Sequence, residues 1–199
     1  MARVLVLYYS SYGHIEMMAQ AVAQGAIAGG ATVDIKRMPE TVPVKLVESA
    51  GFRVNPDHPE ADPKELTDYD AIVVGTPVNY GNIAAQVSSF WARTTGLWKD
   101  GALVGKLAGA FSSTGSQHGG NEAALLSMHK VFLHHGMIVI GLPYTYHAQL
   151  DDDRVAGGSP YGATTIAGKT LSLQPNEVEL GGARFQGEHI AKVAGKVFG

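Results

Sequence analysis

Apolar residues in this chain fall into two alternating kinds of run. Val4–Tyr9 is unbroken and carries β-branched and aromatic members, without polar alternation. Such a run predicts a strand buried on both faces, as in a parallel sheet. The next apolar positions are Ile15, Met18, Ala19, Val22, Ala23 and Ala26, at helical spacing, and Gly29-Gly30 ends them. Thr32–Arg37 alternates and reads as a second strand nearer an edge. Residues 38–66 carry Pro39, Pro43, Pro56, Pro59 and Pro63, which predicts a long connection with one short helix near Val44–Ala50. A third buried strand, Ala71–Val74, ends at Gly75, and a helix is predicted over Ile83–Thr94. Leu107–Ser113 is a fourth strand. Asn121–His135 is a helix with Asn121 as N-cap and Gly136 as its stop. Met137–Ile140 is the fifth strand, and a closing helix places Ile190, Val193, Ala194 and Val197 on one face.

Strands and helices in strict alternation predict a single α/β domain over residues 1–199. Its core is an open, twisted, five-stranded parallel sheet with helices on both faces. Ligands of such sheets bind beyond the carboxyl ends of the strands. Residues 141–173 lack clear periodicity and are rich in Gly and Pro, a length that marks a functional or interface segment.

Composition narrows the chemistry. With no Cys, the chain has no disulfide, no Cys-ligated metal and no thiol nucleophile. A net charge of −3 argues against a nucleic-acid-binding face. The apolar runs fall far short of the ~18 residues of a membrane span. Arg3 before Val4–Leu7, with Ala19-Gln20-Ala21 beyond, mimics a signal peptide, but Ser10–Glu16 breaks the apolar region. A cytoplasmic protein without integral membrane association is expected.

Three loops at the sheet's carboxyl end carry the candidate chemistry. The first, Ser10-Ser11-Tyr12-Gly13-His14-Ile15, runs into a helix N-terminus, where free N–H groups and the helix dipole attract an anion. It lacks Lys and Arg and is neither GxxxxGK[ST] nor GxGxxG, so its neutral hydroxyls suit a phosphate monoester. An ordinary Ser-rich turn is the plain alternative for this loop alone. The second is Gly75–Asn82, with Pro77, Val78, Asn79 and Tyr80. The third is Ser112–Asn121, with Ser113, Thr114, Gly115, Ser116, Gln117, His118 and Gly119. Small hydroxyl residues in all three suit a flat heteroaromatic ring, on which Tyr80 would stack.

These loops, with Gly75-Thr76-Pro77…Tyr80-Gly81-Asn82, Ser112-Ser113-Thr114-Gly115 and Gly158…Pro160-Tyr161-Gly162-Ala163-Thr164-Thr165-Ile166-Ala167-Gly168, resemble the WrbA family of flavodoxin-like NAD(P)H:quinone oxidoreductases. The opening Val4–Glu16 matches as well. The resemblance covers nearly the whole chain. It implies a flavodoxin fold with strand order 2-1-3-4-5, an FMN cofactor, NADH or NADPH as electron donor, a quinone substrate and a tetramer. It also implies two-electron, ping-pong hydride transfer through the flavin. Carried over, Ser10 to Ile15 hold the FMN phosphate, and Pro77, Val78, Asn79 and Tyr80 line the ribityl chain and ring. Ser113 through Gly119 run along the isoalloxazine, and His134 completes the site. Tyr12 resembles a nucleotide-contacting position and, with His134, a candidate proton donor. Trp98 resembles a substrate-contacting aromatic. Val78-Asn79-Tyr80 replaces the family's Thr-Arg-Phe or Thr-Arg-Tyr, which removes a cation, and the loop bearing His118 is one residue longer than in some members.

Blander readings compete at several positions. A His at a helix end caps carbonyls, and His135 is read that way; Trp98 suits core packing; Asp151-Asp152-Asp153 suits a solvated turn rather than a metal site. Two rival functions are a one-electron flavodoxin carrier, typically shorter and more acidic, and an accessory partner of a transcriptional repressor, which the net charge does not support as a direct DNA binder.

Overall fold

The computed structural model describes residues 1–150 and 155–199, which leaves Asp151, Asp152 and Asp153 outside the described residues. Its strands are β1 (Arg3–Tyr8), β2 (Thr32–Arg37), β3 (Ala71–Asn79), β4 (Asn82–Ile83), β5 (Leu107–Thr114), β6 (Ile138–Val139) and β7 (Thr164–Ile166). Its α-helices are α1 (His14–Ala28), α2 (Val44–Ser49), α3 (Ala85–Ala92), α4 (Thr95–Lys99), α5 (Asn121–His134) and α6 (Glu177–Phe198). The main path across the sheet is β2-β1-β3-β5-β6, parallel throughout. Counted without the short hairpin strand β4, this is the expected order 2-1-3-4-5.

The apolar runs explain the layering. Val4, Val6 and Val73 face one core with α1 and α6, while Leu5, Leu7, Ile72 and Val74 face the other with α3 and α5. Helices α1 and α6 cross at close range, because a Cβ at Gly25 would collide with the Arg184 carbonyl and one at Gly187 with the Val22 carbonyl. Strand β2 lies at the edge, where Pro59 and Ala61 pair with Arg37 and shield its free groups.

Four elements depart from the expected layout. Strand β3 does not stop at Gly75 but runs to Asn79 and turns back through Tyr80-Gly81 into β4. Pro77 is tolerated there because the strand end is leaving the sheet for the hairpin. The helix expected over Ile83–Thr94 is shorter, being α3 alone, and the separate short helix α4 follows it from Thr95. The cap of α5 is Gly120 at φ 96, not Asn121. The Asn121 side chain is drawn inward instead, accepting from Ser112 Oγ at 2.8 Å and donating to Thr114 Oγ1 at 3.2 Å.

The long segment after the fifth strand re-enters the sheet. β6 pairs with the start of β5 (Leu107–Ala108), and β7 with its end (Ser112–Thr114). One buried carboxylate holds this return: Glu179 of α6 accepts from Gly157 N, Ile166 N, Asn176 N and Thr165 Oγ1, at 2.8 to 3.1 Å. Among the described residues, no helix is long and apolar enough to cross a membrane.

Candidate active site

At the carboxyl ends of β1, β3 and β5 a groove of about 130 Å³ is lined by Ser10, Ser11, Tyr12, His14, Ile15, Pro77, Val78, Asn79, Ser113, Thr114 and Gly115. Three loops distant in sequence meet here because parallel strands all point their carboxyl ends the same way. Ala167 and Leu171 form a further wall that periodicity and loop chemistry gave no reason to include. They arrive because β7 lies beside the end of β5, and Ala167 N donates to Thr114 O at 2.7 Å.

The first loop is built as an anion cradle. Gly13 caps α1 at φ 96, a left-handed conformation that favours glycine. Its N–H donates to Ser10 Oγ at 3.0 Å, which tightens the turn. No side chain caps α1, and its first intrahelical bond is Met17 N to Gly13 O, so the N–H groups of His14, Ile15 and Glu16 have no partner within the helix. His14 is 5% exposed, and its buried Nε2 lacks a protein partner. Free donors and an orphaned imidazole nitrogen are what a bound phosphate monoester would satisfy.

Beneath the cradle, Ser11 Oγ donates to Tyr9 Oη at 3.1 Å and Tyr9 Oη donates to Glu40 Oε2 at 2.7 Å. Gln86 Nε2 bonds both, at 3.0 Å to Tyr9 Oη and 2.6 Å to Glu40 Oε1. Burial alone would raise the Glu40 carboxyl, but donation from Gln86, Tyr9 and the Val42 and Thr41 amides outweighs it and holds the group below the ordinary carboxylate value. Burial likewise raises the Tyr9 phenol, so it stays a neutral donor.

Residues 52–55 of the long connection fold over the cradle. Phe52 meets Tyr12 edge-on at 5.4 Å, Arg53 N donates to Ser11 O at 2.8 Å, and Asn55 Nδ2 donates to Glu16 Oε1 at 2.7 Å. Arg53 thereby lies against Gly13, although no motif or spacing pointed to it. The loop itself carries no Lys or Arg, and the cation nearest it comes from the segment that covers it.

The rim is strained. Tyr80 (φ 53) and Leu171 (φ 56) are the non-glycine residues with positive φ among those described. Leu171 lines the groove, and Tyr80 tops the hairpin whose Val78 and Asn79 line it. Tyr80 is fully exposed rather than turned into the groove, and Ser116, Gln117 and His118 are exposed as well. Gly120 must be glycine twice over, since a Cβ there would meet Gly81 Cα at 2.7 Å.

Trp98 and His134 lie elsewhere. Both line a larger cleft of about 520 Å³ with Trp91, Thr94, Ser127, Lys130 and Val131. Trp98 is 55% exposed, so core packing is not its role within one chain. His135 is buried and structural, with Nε2 at 2.9 Å from Thr94 Oγ1 and its ring beside Trp91.

The chain matches the family described as NADPH-dependent FMN reductase over residues 2–149. It is 55% identical over 199 residues to a Cupriavidus metallidurans protein named NAD(P)H dehydrogenase (quinone), covering all of both chains. It is 54% identical over 196 residues to Rhizobium meliloti NAD(P)H dehydrogenase (quinone) 3, covering 98% of this chain and 92% of that one. Among solved structures it is similar to a flavodoxin, WrbA-like protein from Agrobacterium tumefaciens, with TM-score 0.68, 22% identity and coverage of 98% and 99%. A flavodoxin from the domain Archaea gives TM-score 0.64 at 19% identity, covering 97% and 99%. Both likenesses carry the fold, and the close relatives carry the assignment. The chain therefore belongs to the NADPH-dependent FMN reductase family, alongside full-length relatives named NAD(P)H dehydrogenase (quinone).

Proposed function

We propose that this protein is an FMN-dependent NAD(P)H:quinone oxidoreductase of the cytoplasm. The observation that carries the reading is the groove itself, an uncapped helix N-terminus beside two walls of small hydroxyl residues at a sheet's carboxyl end. Bound FMN supplies the redox chemistry: NAD(P)H, a proton and a quinone become NAD(P)⁺ and a hydroquinone. The rest falls to the chain.

The N–H groups opening α1 and the hydroxyls of Ser10 and Ser11 hold the phosphate. Pro77, Val78 and Asn79 flank the ribityl chain and one edge of the ring. Backbone N–H groups within Ser113–Gly119, near the start of α5, would stabilise the negative charge that the reduced cofactor carries, although that of Gly119 is given to Ser116 O. The groove is smaller than the roughly 300–1,000 Å³ of pockets that enclose their ligands. A groove of this size would hold the cofactor at its phosphate end, and a ring left accessible to nucleotide and quinone in turn would suit a ping-pong order. Tyr12, 39% exposed at the rim, is placed to contact the nucleotide or to hold a proton for the quinone.

Trp98 and His134 line a separate cleft of the chain; in this reading they serve the reaction from a second copy, within a tetramer. The exposed Tyr80 hairpin and the segment 141–173 belong to the same assembly.

Purified protein should be yellow, and should oxidise NADH or NADPH only when benzoquinone is supplied. A colourless protein that takes up no FMN sinks the reading. Slow reduction by nucleotide with fast reduction by a redox protein would mark a carrier instead.

A further inference from the structure

The long connection between β2 and β3 supplies a side chain to the phosphate cradle. Arg53 reaches back about forty residues in sequence to lie on the turn that opens α1: its Nη1 is 3.8 Å, and its Cδ 3.9 Å, from where a Cβ of Gly13 would stand. The placement is built rather than incidental. The segment is pinned on both sides of Arg53, by Phe52 on Tyr12 and by Asn55 on Glu16, and at Arg53 itself by its amide on Ser11 O. His58 closes the run, with Nδ1 2.8 Å from the Tyr8 hydroxyl. Among the described residues the Arg53 guanidinium has no carboxylate partner. The 3.8 and 3.9 Å distances at Gly13 are ordinary van der Waals contact, so the guanidinium and its stem lie directly against the turn, and glycine is favoured there by its φ of 96.

We propose that Arg53 is a cofactor-binding residue: its guanidinium supplies the positive charge that the loop Ser10–Ile15 lacks and fastens the FMN phosphate against the N-terminus of α1. This rests on the reading that the cradle takes that phosphate. The second observation pointing to a ligand there is independent of the helix end, namely the buried and unpartnered His14 Nε2 on the groove wall. A planar guanidinium matches a phosphate through paired N–H donors and keeps its charge at every working pH. Glu16 stands in the same first turn, and a phosphate dianion beside that carboxylate is unfavourable unless a cation offsets it. The covering segment thus acts as a clasp: cofactor binding and the docking of residues 52–55 stabilise each other.

The test uses the full-length apoprotein with FMN and with riboflavin, which shares the ring and ribityl chain but has no phosphate. Dissociation constants are read from quenching of flavin fluorescence. Arg53→Met, which keeps an apolar stem, should weaken FMN about tenfold. It should leave riboflavin within about twofold. Arg53→Lys should recover part of the loss, and the gap between wild type and Arg53→Met should close near 1 M salt. Equal weakening of FMN and riboflavin would overturn the proposal, since it would make Arg53 a loop-packing residue. So would an unchanged FMN constant with a raised KM for NADPH but not NADH, which would assign the guanidinium to the donor's phosphate. Ser11→Asp, which places a negative charge in the loop, separates the two layers of the argument. If it weakens FMN selectively while Arg53→Met does nothing, the cradle stands and the clasp falls. If Ser11→Asp also leaves FMN unchanged, the phosphate lies elsewhere and both readings fail.

Discussion

Tyr9 shows how much of the site depends on a hydroxyl that never touches it. Its Oη accepts from Ser11 and Gln86 and donates to Glu40, so one buried atom joins the Ser10–Ile15 loop, α3 and the long connection. Tyr9→Phe leaves the buried Gln86 and the half-buried Ser11 and Glu40 each one bond short, and should cost about 1–3 kcal/mol in urea denaturation, with weaker FMN binding because Ser11 is released. Glu40→Gln tests the electrostatic half. The carboxyl is held below its ordinary value in the native state, so its stabilisation is present above the unfolded value and lost as pH falls through the lower native one. The variant should lose stability at neutral pH and show a flatter decline below about pH 4.5. Buried histidines act at higher pH. Burial lowers both His129 and His135, and the positive charge of neighbouring His134 lowers His135 further. An unfolded imidazole binds a proton near its ordinary value of 6.5 while these resist, so stability falls as pH drops from about 6.5 towards their native values. Denaturation midpoints at pH 7.5 and 5.5 should show this drop, and His135→Gln, which can still bond Thr94, should reduce it.

At the level of elements, the two sides of the groove differ in how they were encoded. The phosphate loop and the start of β5 could be placed from local pattern, because a continuous apolar run followed by Ser, Gly and a helical period has one reading. The hairpin after β3 could not. Gly75 looks like a strand end, yet the strand continues because Gly75 is small enough to pass Phe111 and Ile15, a fact of packing and not of propensity. Asn121 looks like a cap and is not one, since Ser112 and Thr114 offer it better partners inside. β7 was hidden altogether, two of its three residues, Thr165 and Ile166, being held by a carboxylate on another element. Glu179→Ala removes the shared acceptor of three backbone amides and one hydroxyl and should cost about 3 kcal/mol. Hydrogen exchange should then quicken at Gly157 and Ile166, and FMN affinity should fall because the Ala167–Leu171 wall loosens. The α1–α6 crossing is equally dependent on contact. Gly25→Ala raises local helix propensity, but its methyl meets the Arg184 carbonyl, so it should destabilise by about 1–3 kcal/mol rather than stabilise.

For the whole molecule, one chain presents a cofactor groove and, apart from it, a cleft holding the remaining expected residues. If two copies complete each site, His134→Ala and Trp98→Ala should lower kcat/KM for benzoquinone while leaving the FMN dissociation constant within about twofold of wild type. Sedimentation at micromolar protein should give four chains per particle, and a monomer with full activity would refute the shared site. Equal loss of FMN binding and turnover in Trp98→Ala would return that residue to a packing role.

The sequence by itself determined the fold class and which loops meet at the sheet's carboxyl end, through local periodicity and the shared direction of parallel strands. The strand order came with the resemblance to a known family. The sequence could not show that Arg53 lies on Gly13, that Ala167 and Leu171 wall the groove, or that Trp98 and His134 stand apart from it. Those placements depend on which distant surfaces fill each other's space and satisfy each other's buried hydrogen bonds, and only the folded chain decides that.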